Sequence, residues 1–215
     1  CAVMIVVLVL SQSRGALLLG VPMMLVATGF AAGGRWRYGA LALAAAMALV
    51  CAVLAVGLAQ PWLEGTRFAR LADPFDLRSG TGFFRLSLWE SALRMWRDHP
   101  LLGVGPDNFL YAYRSFYILP AAWQEPNLSH PHNLLLDFAA RLGLLGLLAG
   151  AGLIGGFVVW TRQAWSRDRG LALGAVGFLA VMLSHGLVDH ALFLVDLSFA
   201  FMLTAGALAR LTGAP

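Results

Sequence analysis

Apolar residues in this chain run in long blocks rather than alternating with polar ones. Residues 1–12, 15–33, 39–59, 133–160, 171–189 and 191–209 are almost free of charge. A bilayer is crossed by about 20 residues of helix, so the pattern predicts six spans. The first is short because the chain opens at Cys1, inside an apolar run and without Met. This suggests a piece of a longer chain.

The pattern changes between residues 60 and 132. In "FFRLSLWESALRMWRDHP", Phe84, Leu88, Ala92 and Met95 recur at helical spacing, and Glu90 and Arg94 stand four apart. That predicts an amphipathic helix over 83–97, lying on a membrane surface and ended by Pro100. "LLGVGPDNF" then reads as a turn punctuated by Gly and Pro. The aromatic stretch 109–123 fits either an interfacial belt or a surface that stacks on sugars.

Composition agrees with the spans. The chain is 60% hydrophobic and 12% charged, with a mean hydropathy of +0.75. It reads as an all-α integral membrane protein, a polytopic helical bundle. The predicted organisation is membrane helices over 1–59, an extracytoplasmic loop over 60–132 containing the amphipathic helix, and membrane helices over 133–215. No signal peptide is recognisable in the first run. Cys1 and Cys51 both fall in predicted spans and say nothing of redox compartment.

All fifteen basic residues are arginines. Arg35, Arg37, Arg162, Arg167, Arg169 and Arg210 lie in short connections against one acid, Asp168, which marks those connections as cytoplasmic. Alternation then puts residues 11–15, 60–132 and the turn at Asp189–His190 on the outer side. Arg14, His130, His132, Asp189 and His190 share that face. Ionisable groups are costly near a membrane core, so they are candidates for function.

Each candidate has a plain reading beside the chemical one. His132 and Asn133 stand where they can cap a helix, and His132 is also a possible general base. Arg14 and Arg85 can be a snorkelling anchor and a solvated helix face. They can equally be fixed cations for phosphate. Asp189, four residues after His185, can make a structural hydrogen bond or orient a reacting group. His130, His132, His185, His190 and Asp189 permit a metal cluster, but neither an "HExxH" pair nor a Cys pair is present. Asp137 and Asp196 suit helix N-termini.

Four stretches occur in order: "SQSRGALLLG", "RLSLWESALRMWRDHPLLGVGPDNF", "HPHNLLLDFAARLGLLGLL" and "SHGLVDHALF". Together they resemble the O-antigen ligase / O-antigen polymerase superfamily of bacterial envelope glycosyltransferases. The likeness spans nearly the whole chain, as the C-terminal portion of a longer member. The family's pattern of His-Asn, nine residues, Gly, two residues, Gly is matched at His132, Asn133, Gly143 and Gly146. One departure is Arg141, where relatives often carry glutamate.

The resemblance implies a fold of the membrane glycosyltransferase C type. It also implies an inverting, metal-independent transfer of a glycan from undecaprenyl diphosphate to an acceptor hydroxyl, on lipid A core or another glycan or protein. His132 matches the catalytic histidine, Arg14 and Arg85 the arginines that hold the diphosphate, and Asp189 the late acid. His130, Asn133 and His185 are secondary candidates. No cofactor, metal or nucleic acid is implied; membrane lipid is. The place implied is the bacterial inner membrane, with a multi-pass chain and its active site facing the periplasm. A repeat-unit polymerase is the alternative within this chemistry. A small-anion transporter of the same superfamily and a structural membrane subunit are the readings outside it.

Overall fold

The computed structural model describes residues 6–7, 10, 13, 15–57 and 80–213. Its regular structure is entirely helical among the described residues. The elements are α1 (Ala16–Ala32), α2 (Arg35–Gly57), α3 (Gly80–Asp98), α4 (Phe109–Ala112), α5 (Leu134–Ala164), α6 (Arg169–His185) and α7 (Val195–Thr212). Among the described residues, α5 and α7 are long and apolar enough to cross a membrane, while α1 and α6 are shorter apolar helices. The predicted span 171–189 ends as a helix at His185, and the next begins only at Val195. The expected tight turn at Asp189 is therefore a connection over 186–194. The first apolar run, apart from Val6, Val7 and Leu10, and residues 58–79 lie outside the described residues.

The chain forms two compact units, one of residues 1–45 and 148–215, the other of 46–147. In the first, α1 and α6 pack antiparallel through small residues. A side chain on Gly20 would touch Val181, and one on Gly177 would press on Met24 and Thr28. Close backbone approach of this kind is how apolar helices associate where burying them gains nothing from water. At one end of the pair, Arg169 donates to the Ala32 carbonyl at 2.7 Å, and Arg167 donates to Leu211. The arginine-rich connections thus cap helix C-termini, whose carbonyls lack partners within the helix. Phe157 of α5, fully buried, stacks on Phe201 of α7 at 5.1 Å and lies 6.2 Å from Phe178 of α6.

The second unit is built on α3. The helix forms as its spacing predicts, and Arg94 bonds Glu90 at 2.5 Å. Its apolar stripe packs on protein. Leu88, Ala92 and Met95 are buried with Phe109, Tyr113 and Ala140 in one core. The buried Ser91 donates to the Tyr117 carbonyl at 2.8 Å. This ties α3 to a π-helical turn, Tyr113–Tyr117, that follows α4.

Candidate functional site

The "HPHN" segment leads directly into α5. Asn133 is the cap: its Oδ1 accepts from the Leu136 amide at 3.1 Å, and its carbonyl accepts from Asp137. Before it, Pro131 is fully buried and His132 sits at φ +52°. Among the described residues, His132 is the only non-glycine residue with positive φ. Histidine tolerates this left-handed region better than most residues, yet the conformation still costs energy. It persists because the buried proline and the cap hold both neighbours. The His130 and His132 rings lie 4.2 Å apart between centroids, and Ser129 contacts His130 Nδ1 at 3.0 Å.

Ten residues beyond Asn133, α5 breaks. Gly143 has φ +66° and ψ −157°, so the helix stops and restarts there. A break leaves carbonyls before it and amides after it without helical partners. The segment after α3 supplies them. Val104 and Gly105 donate to the carbonyls of Ala140 and Arg141, at 2.8 and 3.0 Å. Leu144 and Leu145 donate to the carbonyls of Pro100 and Leu101, at 2.8 and 3.2 Å. The two backbones touch so closely that a Cβ on Gly103 would strike Ala140 and Arg141, and one on Gly143 would strike Leu101. The span predicted over 133–160 is present as Leu134–Ala164, long and apolar enough to cross a membrane, and this clasp bridges the break inside it at Gly143. Gly146 has a third role, since a side chain there would collide with Leu142.

Arg141 reinforces the clasp. Its Nε donates to the Pro106 carbonyl, Nη2 to Asp107 at 3.3 Å and Nη1 to Asp137 at 3.4 Å. Asp137 is fully buried in the first turn of α5. Beyond its expected service to the helix N-terminus, it therefore has a guanidinium partner. Sequence reasoning singled out Arg141 only as a departure from the family pattern. The fourfold spacing from Asp137 was the available signal.

Arg85 is half-buried on α3, in the same unit as His132. Arg14 lies outside the described residues, but its neighbour Gly15 is described. Gly15 packs on His185: a Cβ there would stand 2.8 Å from Cδ2 and 2.9 Å from Nε2 of that ring. Asp189 Oδ2 lies 3.8 Å from His185 Nε2, an ion-pair distance rather than a hydrogen bond. Asp189 Oδ1 accepts from the His190 amide at 2.8 Å. The glycine of the "SRG" motif and the late "GLVD" acid thus both attend on His185. Along α6 this end stands about 25 Å from the arginine caps, at 1.5 Å per residue.

A family model described as O-Antigen ligase matches residues 1–151. That stretch takes in the "SRG" motif, α3 and the "HPHN" segment through Gly143 and Gly146, and stops short of Asp189. No curated protein matches the chain.

Proposed function

Because this chain belongs to the O-antigen ligase family, a group of ligase/polymerase type in membranes, we propose that it transfers a glycan from undecaprenyl diphosphate to an acceptor hydroxyl. The reaction takes place at the outer face of the inner membrane. His132 accepts the proton of the hydroxyl as its oxygen attacks the anomeric carbon. The bond from that carbon to the diphosphate oxygen breaks from the opposite side, inverting the centre. The lipid diphosphate leaves with the bonding electron pair, and Arg14 and Arg85 hold its charge. Guanidinium groups stay charged and match phosphate oxygens, so they can do electrostatically what a metal ion does elsewhere. Asp189 is a positioning residue for His132 or for the acceptor.

The observation that supports this reading most directly is His132, held at positive φ between a buried proline and a helix cap. A capping role is already filled by Asn133, which leaves the strained imidazole without that explanation. Strained residues persist where the surroundings over-determine them and cluster at functional sites. An imidazole positioned as a general base is worth about 10²–10⁴-fold in rate.

The test is transfer by the full-length protein, reconstituted with an undecaprenyl diphosphate-linked oligosaccharide, candidate acceptors and excess EDTA. Transfer that survives chelation and disappears in His132→Ala supports the reading. Transfer retained near wild type in that variant overturns it. An acceptor of lipid A core identifies a ligase, and a second lipid-linked repeat identifies a polymerase.

A further inference from the structure

The aromatic residues after α3 divide sharply. Phe109 and Tyr113 are core, at 1% and 0% exposure, whereas Tyr111 and Phe116 are 70% and 82% exposed. The π turn Tyr113–Tyr117 explains the second pair. A turn closing i to i+5 brings residues five apart toward one face, whereas in an α-helix they diverge. Ile118 accordingly donates to the Tyr113 carbonyl at 2.8 Å. Tyr111 and Phe116 then line one cleft of about 610 Å³, together with Asp98, Asn108, Ser115 and Tyr117. Tyr117 donates to Asp98 Oδ2 at 2.8 Å, and Asn108 Nδ2 is committed to the Val104 carbonyl at 3.0 Å.

We infer that this cleft is a saccharide subsite, taking one pyranose ring of a glycan substrate against the faces of Tyr111 and Phe116. This inference rests on the glycosyl-transfer reading and says where the glycan is held. A pyranose presents C–H groups on its faces and hydroxyls around its edge. It is therefore recognised by aromatic rings beside acceptors and donors already fixed in place. Here the Asp98 carboxylate is fixed by Tyr117 and the Asn108 side chain by Val104, while Ser115 adds a hydroxyl. A belt that only floats in lipid headgroups has no use for a carboxylate and an amide fixed in the same cleft as its rings. The ring belongs either to the donor glycan or to the acceptor, and the chemistry is the same for both.

The experiment measures binding and transfer by the full-length protein in nanodiscs, with Tyr111→Ala and Phe116→Ala as variants. The probes are two delipidated oligosaccharides, the repeat unit of the donor and the core of the acceptor. Both side chains are exposed, so near-UV dichroism and melting should match wild type. The expected result is a Kd for one probe raised about tenfold, as loss of a stacked aromatic contact implies. In transfer, KM for that substrate rises with kcat unchanged, as for lost ground-state binding. A change confined to the donor probe assigns the cleft to the donor, and one confined to the core probe assigns it to the acceptor. Unchanged affinity for both probes overturns the inference. Wild-type transfer with unaltered variants leaves the proposed function standing and removes the cleft. Saccharide binding that depends on Phe116, without transfer to any acceptor, does the reverse.

Discussion

The amide of Leu144 donates to the carbonyl of Pro100 at 2.8 Å, across forty-four positions of sequence. With Val104 donating to Ala140 in the opposite sense, it makes the segment after α3 a substitute for the missing turn of α5. An unpaired backbone group removed from water costs energy comparable to a lost hydrogen bond. The break at Gly143 therefore survives only while that segment is docked.

Gly103→Ala and Gly143→Ala should each destabilise the protein by about 1–3 kcal/mol, because a Cβ would meet backbone at a positive φ. Gly152→Ala and Gly206→Ala, whose Cβ would enter open space, should be neutral or slightly stabilising. Thermal melts in detergent read the contrast. Equal melting temperatures in all four variants would show that the clasp adds no stability.

Arg141 has two acidic partners of unequal weight. Asp107 is 99% exposed, and such a pair contributes little. Asp137 is fully buried, and an ion pair with a buried partner is the costlier of the two to lose. Arg141→Ala should therefore be severe and Asp107→Asn mild. Asp137→Asn should recover much of the Arg141→Ala loss, which a double-mutant cycle of melting data measures.

His132→Gly separates strain from chemistry. Glycine adopts φ +52° freely, so this variant should melt no lower than wild type while transfer falls by about 10²–10⁴-fold. A lower melting temperature would mean that the imidazole holds the segment together.

Gly15→Ala should push the His185 ring out of place, because the new methyl would overlap it. Transfer and stability should both fall. The double variant Gly15→Ala/His185→Ala should regain stability without activity, as followed by melting and by glycan transfer.

Burial raises the ionisation of both Tyr113 and Tyr117 above 10.0; Glu125 adds to the first, and the bond to Asp98 adds to the second. A raised folded-state value means stability that is complete below the ordinary tyrosine range and is lost as pH climbs through the folded value. Alkaline titration should therefore loosen the unit around α3. Tyr117→Phe should reduce that sensitivity, as read by tyrosinate absorbance against near-UV dichroism.

Much of this was legible in the chain because its signals are local. Blocks of apolar residues mark the helices. Leu88, Ala92 and Met95 mark the buried stripe of α3, and His132, Asn133, Gly143 and Gly146 mark the family. What covers the stripe was not legible, since lipid and a protein core look alike to an apolar side chain. Nor was the break in α5: the glycines of "ARLGLLGLL" permit a break without requiring one, and the bonds that replace its missing turn come from Pro100–Gly105, some forty residues earlier. The approach of Gly15 to His185 is likewise decided by packing between segments distant in sequence. Sequence alone determined the helical elements and the family, because periodicity and residue type act within a few positions. Only the tertiary structure decided where a helix stops, which aromatic rings face outward and what attends each histidine, because those outcomes depend on backbone groups and surfaces supplied from elsewhere in the chain.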